Sequence, residues 1–272
     1  MELRRAAMAA ILKIERLSFQ YPSNGRRERG NIFDGLSIEF ERGSTVAILG
    51  PNGSGKSTFL SLMAGYLRPL EGKVFLKGND ISKMSSAEIA KLMSVVSQEH
   101  HPAFGFNARE IILMGRAPYN SFFGFAGERD YEMVERISKK VELESLLAYD
   151  YTKLSGGERK RVLLARAMVQ NTPVMLFDEP EAHLDIRHQH HFLKLISELA
   201  REENKLCIYS VHNPALAMRY STHVMLLGSR GEEIIYGPTA EVMNCRNLEN
   251  VYKIGFDMMP GSDSCPLLFV KA

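Results

Sequence analysis

Gly50-Pro51-Asn52-Gly53-Ser54-Gly55-Lys56-Ser57-Thr58 fits the pattern G-x-x-x-x-G-K-[ST] at every required position. The apolar run Val46-Ala47-Ile48-Leu49 before it reads as a buried strand, and residues 58–64 after it read as a helix. Glycines are needed in such a loop because side chains would hold backbone N–H groups away from phosphate oxygens. The N-terminus of the following helix adds unpaired N–H donors and the positive end of its dipole. In that frame Lys56 reaches the β- and γ-phosphates and the Ser57 hydroxyl ligates magnesium. A chance glycine-rich turn is the bland alternative, and the flanking strand and helix make it the weaker one. The stretch predicts an α/β chain that binds a nucleoside triphosphate.

A chain of 272 residues has material for one large domain or two small ones. Its 34 basic and 32 acidic residues leave a net charge of +2, so no global field directs it to nucleic acid or acidic lipid. Cys207, Cys245 and Cys265 are odd in number and widely spaced, which suits a reducing cytosol rather than a disulfide framework or a metal site. Arg4 and Arg5 precede a short apolar patch that faintly suggests a leader, but Lys13 and Glu15 cut it. A frayed start is expected. No stretch approaches the ~18–20 apolar residues of a membrane span.

Residues 12–21 alternate apolar and polar and stop at Pro22, as an edge strand does. Tyr21 at its end is either an ordinary strand-end aromatic or a flat surface for an adenine ring. Residues 36–41, 73–77 and 93–97 read as further strands, with a turn at Gly78-Asn79-Asp80. From 99 to 153 the texture changes. Aromatic residues (Phe104, Phe106, Tyr119, Phe122, Phe123 and Phe125) accompany helical patterns from Asn107 and from Glu128, which reads as an inserted helical lobe with an exposed aromatic loop. Ser155 is a natural N-cap for a helix reaching Val169, and Gly156-Gly157 leave its N-terminus accessible to an anion. The apolar run 174–177 closes on Asp178-Glu179, and carboxylates at a buried strand's end need a cation or a substrate proton. A helix at 186–202, a buried strand at 206–211 ending at His212, a hairpin of 224–227 with 232–236, a helix over 241–254 and a short strand at 267–270 complete the chain. His183, His188, His190 and His191, with His100 and His101 elsewhere, invite a zinc reading. No cysteine or carboxylate stands at metal-site spacing beside them, so a polar helix face is the better one.

Together, the strand–loop–helix, Gln98, Ser155-Gly156-Gly157-Glu158, Asp178-Glu179 and His212 resemble the nucleotide-binding subunit of ATP-binding-cassette transporters over residues 12–254. The resemblance implies an α/β fold: a P-loop NTPase core with a mostly parallel sheet, an N-terminal antiparallel β subdomain and an inserted helical subdomain. One nucleotide-binding domain is expected, with core and β subdomain at about 12–98 and 166–254, the helical subdomain at about 99–165 and a tail at 255–272. ATP and magnesium are the implied ligands. Tyr21 matches the aromatic that stacks on adenine. Gln98 matches the glutamine that touches magnesium and the attacking water. Ser155, Gly156 and Gly157 match the loop that grips the γ-phosphate bound by the opposite subunit. Asp178 matches the magnesium carboxylate, Glu179 the general base, and His212 the histidine on the γ-phosphate, while Asp185 lies in the loop that crosses the dimer interface. The implied assembly is a homodimer of these subunits on two transmembrane permease subunits at the cytoplasmic face of the membrane, served by a substrate-binding protein and without nucleic acid.

A finer resemblance, to ATPases of importers for iron-siderophore, haem, cobalamin and some oxyanions, rests on three stretches. They are Ala108-Arg109-Glu110 with Met114-Gly115-Arg116-Ala117-Pro118-Tyr119, His183-Leu184-Asp185-Ile186-Arg187-His188-Gln189, and Asn247-Leu248-Glu249-Asn250-Val251-Tyr252. Two positions depart from the family pattern. Glu181 stands where threonine or serine is usual, and Asn213 where aspartate is usual, which is expected to loosen a hydrogen bond supporting His212. The alternative is a soluble cassette ATPase acting on nucleic acid or in cofactor assembly. Near-neutral charge, a single cassette, no coiled-coil insertion and residues 114–119 favour the importer.

Overall fold

The computed structural model describes residues 10–22, 30–97, 105–119, 126–182, 184–229, 231–261 and 266–271. The phosphate-loop strand β3 (Thr45–Leu49) is buried at all five positions. That is what a continuous apolar run at the centre of a parallel sheet requires, with both faces covered. Its neighbours are β8 (Leu206–Ser210) on one side and β9 (His223–Leu226) on the other, both parallel. The six-stranded sheet runs β10-β9-β3-β8-β7-β6, with β6 (Met93–Val96) and β7 (Val174–Phe177) parallel and β10 (Ile235–Pro238) antiparallel at the edge.

Alternate residues of these strands serve two cores. Val46, Ile48, Leu176 and Ile208 face one side. There they pack with Phe59 and Met63 of helix α1 (Lys56–Met63) and with the antiparallel sheet β2-β1-β4-β5, whose last strand β5 is Asn79–Asp80. In that sheet β1 (Leu12–Phe19) is central, between β2 (Phe33–Phe40) and β4 (Glu71–Leu76). Ala47, Leu49, Met175, Phe177 and Tyr209 face the other core, filled by the longer helices. Between β6 and β7 lie α2's successors: after α2 (Ser86–Leu92) come α3 (Ala108–Leu113), α4 (Glu128–Lys140) and α5 (Gly156–Gln170). The helix α6 (Ile186–Glu202) follows β7, and α7 (Pro214–Tyr220) follows β8.

Three expectations need correction. Asn79–Asp80 is not only a turn but a two-residue strand, β5, paired back on β4. The reversal falls at Lys77 and Gly78, both with φ near +50 to +80°, the conformation of a tight hairpin. The single helix expected over 241–254 is two, α8 (Thr239–Val242) and α9 (Cys245–Tyr252). Asn244 splits them: its side chain accepts from Asn247 N–H as an N-cap and donates to the Glu241 carbonyl. The strand read at 12–21 as an edge is β1, which lies inside its sheet with β2 on one side and β4 on the other. The short strand expected at 267–270 is present as β12 (Leu267–Val270), and it pairs with β11 (Phe256–Met259) in a separate two-stranded sheet.

The register sets Ile48 beside Ser210 and Phe177 beside Tyr209. The carboxyl ends of β3, β7 and β8 therefore finish together, and Gly50, Asp178 and His212, one or two residues beyond those ends, share one edge of the sheet. That is where ligands bind in open α/β sheets.

Candidate active site

Two glycines of the phosphate loop are dictated by geometry. Gly55 has φ +107°, and a Cβ there would lie 2.6 Å from Ile32 Cγ2. A Cβ on Gly50 would lie 2.3 Å from the Leu227 carbonyl oxygen. Because Gly55 is also the N-cap of α1, no side chain caps the helix and no acidic residue sits in its first turn. Its first N–H groups are left for an anion. The loop lines a cleft of about 200 Å³ with Tyr21, Ile32 and Glu179. Asn52, Gly53 and Ser57 are exposed at its surface, whereas Ser54, Lys56 and Thr58 are buried. Pro51 accepts the Ser54 N–H at 3.2 Å, which closes the turn. Lys56 Nζ donates to the carbonyls of Gly50 (2.9 Å) and Pro51 (3.2 Å). Burial depresses its pKa, and the carboxylates of Glu179, Asp178 and Glu181 pull it back up. Tyr21 is half exposed, its ring edge-on to Phe19 and its hydroxyl 3.1 Å from Thr58 Oγ1. A flat face is thus held at the cleft rim.

The second half of the site grows from the end of β7. Asp178 and Glu179 share one hydroxyl: Ser210 Oγ donates to Asp178 Oδ1 at 2.6 Å and accepts from Glu179 N–H at 2.8 Å. Glu179 has φ +48°, a left-handed conformation that costs a non-glycine residue roughly 1–2 kcal/mol. Its backbone is held at both polar atoms, by Ser210 on the N–H and by Lys160 Nζ on the carbonyl at 3.0 Å. That posture aims the carboxylate at His212, whose Nε2 lies 2.6 Å from Glu179 Oε1. A basic acceptor paired with an imidazole, beside a phosphate-binding loop, is an arrangement that can orient and deprotonate a water.

The two departures from the family pattern resolve differently. Glu181 is 4% exposed and accepts the His212 backbone N–H at 3.1 Å, so it steadies the histidine's main chain. Asn213 does not reach His212. Its side chain accepts from Ala215 N–H at 2.9 Å and caps α7, which corrects the expectation of a loosened support. Since aspartate caps a helix as well as asparagine does, Asn213→Asp is expected to change kcat by less than about twofold. A steady-state ATPase assay of the variant checks this, and a several-fold rise would restore the missing-support reading.

Other expected residues are less assembled. Ser155 caps α5 in a reciprocal box with Glu158, and with Gly156 it is exposed. None of Ser155, Gly156 and Gly157 lines the phosphate-loop cleft of its own chain. Asp185 caps α6 and holds the His188 ring at 2.8 Å, and His190 Nδ1 meets the Tyr220 hydroxyl at 2.7 Å. Gln98, His100, His101, Phe104, Phe122, Phe123, Phe125, His183 and Cys265 lie outside the described residues. Sequence reading missed Ser210 and Lys160. Ser210 had one signal, a hydroxyl at the end of an otherwise apolar strand two residues before His212. Lys160 had none, since it looked like one more charge on an amphipathic helix.

Known proteins are similar to this chain in sequence and fold. The ABC transporter family profile covers residues 33–182. A probable iron chelatin transport ATP-binding protein of Helicobacter pylori is 33% identical over 243 residues, which is 89% of this chain and 92% of that protein. Among solved structures, a metal-chelate type ABC transporter in an inward-facing conformation superposes with a TM-score of 0.83 at 25% identity, covering 97% of this chain and 98% of that one. The dimeric post-hydrolysis state of the ATP-binding cassette MJ0796, bound to ADP and Pi, superposes with a TM-score of 0.74 at 25% identity, over 84% of this chain and 98% of that one.

Proposed function

The chain belongs to the ABC transporter family and is an ATPase of that family, and from that premise we propose that it powers an importer for a metal chelate or related solute. The observation that carries the catalytic part is the 2.6 Å contact between Glu179 and His212 beside the phosphate-loop cleft. In this reading the loop amides and Lys56 bind the phosphates, and Tyr21 stacks on the adenine. Glu179 takes the proton of the attacking water, with His212 contacting the γ-phosphate. Ser57 and Asp178 offer a hydroxyl and a carboxylate, the hard oxygen donors that suit magnesium carried in with a nucleotide, and Gln98 is assigned there by resemblance. The ion supplies neutralisation of charge on the β- and γ-oxygens. Ser155 and Gly156, which are exposed, and Gly157, none of them lining their own cleft, complete the site of a second copy in a homodimer. Asp185 lies at that interface.

The chain works at the cytoplasmic face of the membrane on two permease subunits fed by a substrate-binding protein; none of its described helices is long and apolar enough to cross a membrane itself. Phe106 and Met114, exposed apolar residues around α3, form the proposed permease contact. Tyr119 serves its own chain instead: its hydroxyl donates to the Gln170 carbonyl at 2.9 Å and Arg116 stacks 4.2 Å above its ring. The test is co-expression with any many-span membrane subunits found encoded beside it, then ATP-driven uptake in vesicles. Phe106→Glu with Met114→Glu is expected to abolish co-purification and uptake while the isolated chain hydrolyses ATP within about twofold of wild type, because charge is costly in an apolar contact. An ATPase activated by nucleic acid and indifferent to those subunits would overturn the importer reading.

A further inference from the structure

Lys160 stands one turn inside α5, the helix that Ser155 caps, yet its side chain serves a different segment. Its ammonium gathers three consecutive-loop carbonyls, those of Glu179 (3.0 Å), Pro180 (3.4 Å) and Ala182. Three donors on three carbonyls use the full capacity of an ammonium. Nothing about a helix surface calls for this, because a lysine there ordinarily extends into water. The segment it holds is the one in which Glu179 sits at φ +48°, and that strain persists only if the surroundings fix it. Glu181, in the same segment, is buried with one carboxylate oxygen on the His212 N–H, and Oε2 has no hydrogen-bond partner among the described residues. Burial pushes the Glu181 carboxyl up and the Lys160 ammonium down, and each group's charge opposes the other's shift. A buried carboxylate and a partly buried ammonium that act on one another's charge, with hydrogen bonds directed at the two residues of the Glu179–His212 pair, make a clamp rather than an ordinary surface ion pair.

We propose that Lys160, with Glu181 as its buried counter-charge, is the positioning residue that holds Glu179 and His212 in register for hydrolysis. It does so from the helix whose first turn carries Ser155, Gly156 and Gly157. The proposal rests on the hydrolytic reading above and adds a residue that does not line the cleft. A displacement of that helix is passed to the Glu179 carbonyl through one side chain, so docking of the Ser155 loop on a partner's nucleotide bears on the chain's own base.

The experiment compares Lys160→Met and Lys160→Arg with wild type by steady-state ATP hydrolysis, each also made in a Glu179→Gln background. Lys160→Met is expected to lower kcat about 10–100-fold with KM for ATP within twofold, as misplacement of a reacting group does. Lys160→Arg, which keeps charged donors on the carbonyls, recovers most of the loss. In the Glu179→Gln background Lys160→Met changes the residual rate by less than about twofold, because a residue acting through Glu179 has nothing left to position. Should Lys160→Met not fold, Lys160→Gln, which is shorter and uncharged, carries the same comparison. Wild-type kcat in Lys160→Met, or an equal fractional loss in both backgrounds, overturns the proposal and leaves the hydrolytic reading standing. A wild-type chain that releases no phosphate from ATP sinks both.

Discussion

Glu179→Gln is expected to lower ATP hydrolysis by about 10²–10⁴-fold, a barrier increase of roughly 3–5 kcal/mol, while ATP binding stays near wild type. Glutamine keeps the length and shape of the side chain, and its carbonyl oxygen still accepts from His212 Nε2, now 2.6 Å from Glu179 Oε1. The strained backbone is untouched, since Ser210 holds the residue's N–H and Lys160 its carbonyl. What is lost is the ability to take a proton from water. Binding survives because the loop amides, Lys56, Ser57 and Asp178 are intact, and removal of one negative charge from the cleft favours a triphosphate. With ATP uncleaved, the proposed dimer is expected to stay bridged, each Ser155 loop on the other copy's nucleotide. Size-exclusion chromatography with saturating ATP is therefore expected to show a dimer that wild type forms only transiently. A variant that hydrolyses at the wild-type rate, or remains monomeric with ATP bound, removes Glu179 from the role of base.

The parts of this site that were legible in the sequence are those whose chemistry demands a residue type at a fixed spacing. A phosphate loop needs glycines where Cβ atoms would strike Leu227 and Ile32, so Gly50 and Gly55 announce themselves. A central parallel strand needs an unbroken apolar run, so residues 174–177 could be placed and the carboxylates after them noticed. Contacts between distant segments leave no such mark. The Ser210 hydroxyl joins Asp178 and Glu179 from 32 and 31 residues away, and Lys160 reaches Glu179 from 19. Neither residue type is unusual in its own element. Asn213 shows the opposite error: a substitution weighed only against a pattern looked like a lost support, when its side chain was capping a helix start. The split of α8 from α9 at Asn244 was missed for a similar reason, because an asparagine inside an amphipathic pattern caps a new helix only if the chain turns there.

Lys56→Ala is expected to reduce kcat/KM for ATP by about 10²–10⁴-fold, and here, unlike in Glu179→Gln, binding itself fails. Lys56 Nζ is a buried cation that meets the Gly50 and Pro51 carbonyls, with Asp178, Glu179 and Glu181 close enough to raise its pKa against the effect of burial. When a triphosphate enters, those donors turn to its oxygens, and hydrogen bonds to charged groups are worth about 1.5–3 kcal/mol each. Two such bonds account for the expected range at 1.36 kcal/mol per decade. Alanine also leaves three carboxylates near the cleft without that counter-charge, which repels the incoming phosphates. Lys56→Arg is expected to stay well below wild type, because a planar guanidinium does not fit beneath the loop in the place of a lysine that is 5% exposed. Displacement of a fluorescent ATP analogue reads the binding loss, and circular dichroism reports whether the fold is retained. Since the proposed dimer is bridged by nucleotide, Lys56→Ala is expected to remain monomeric at ATP concentrations that dimerise Glu179→Gln, and the double variant is expected to be monomeric too. Tight ATP binding by a folded Lys56→Ala chain would mean that the loop amides alone hold the phosphates.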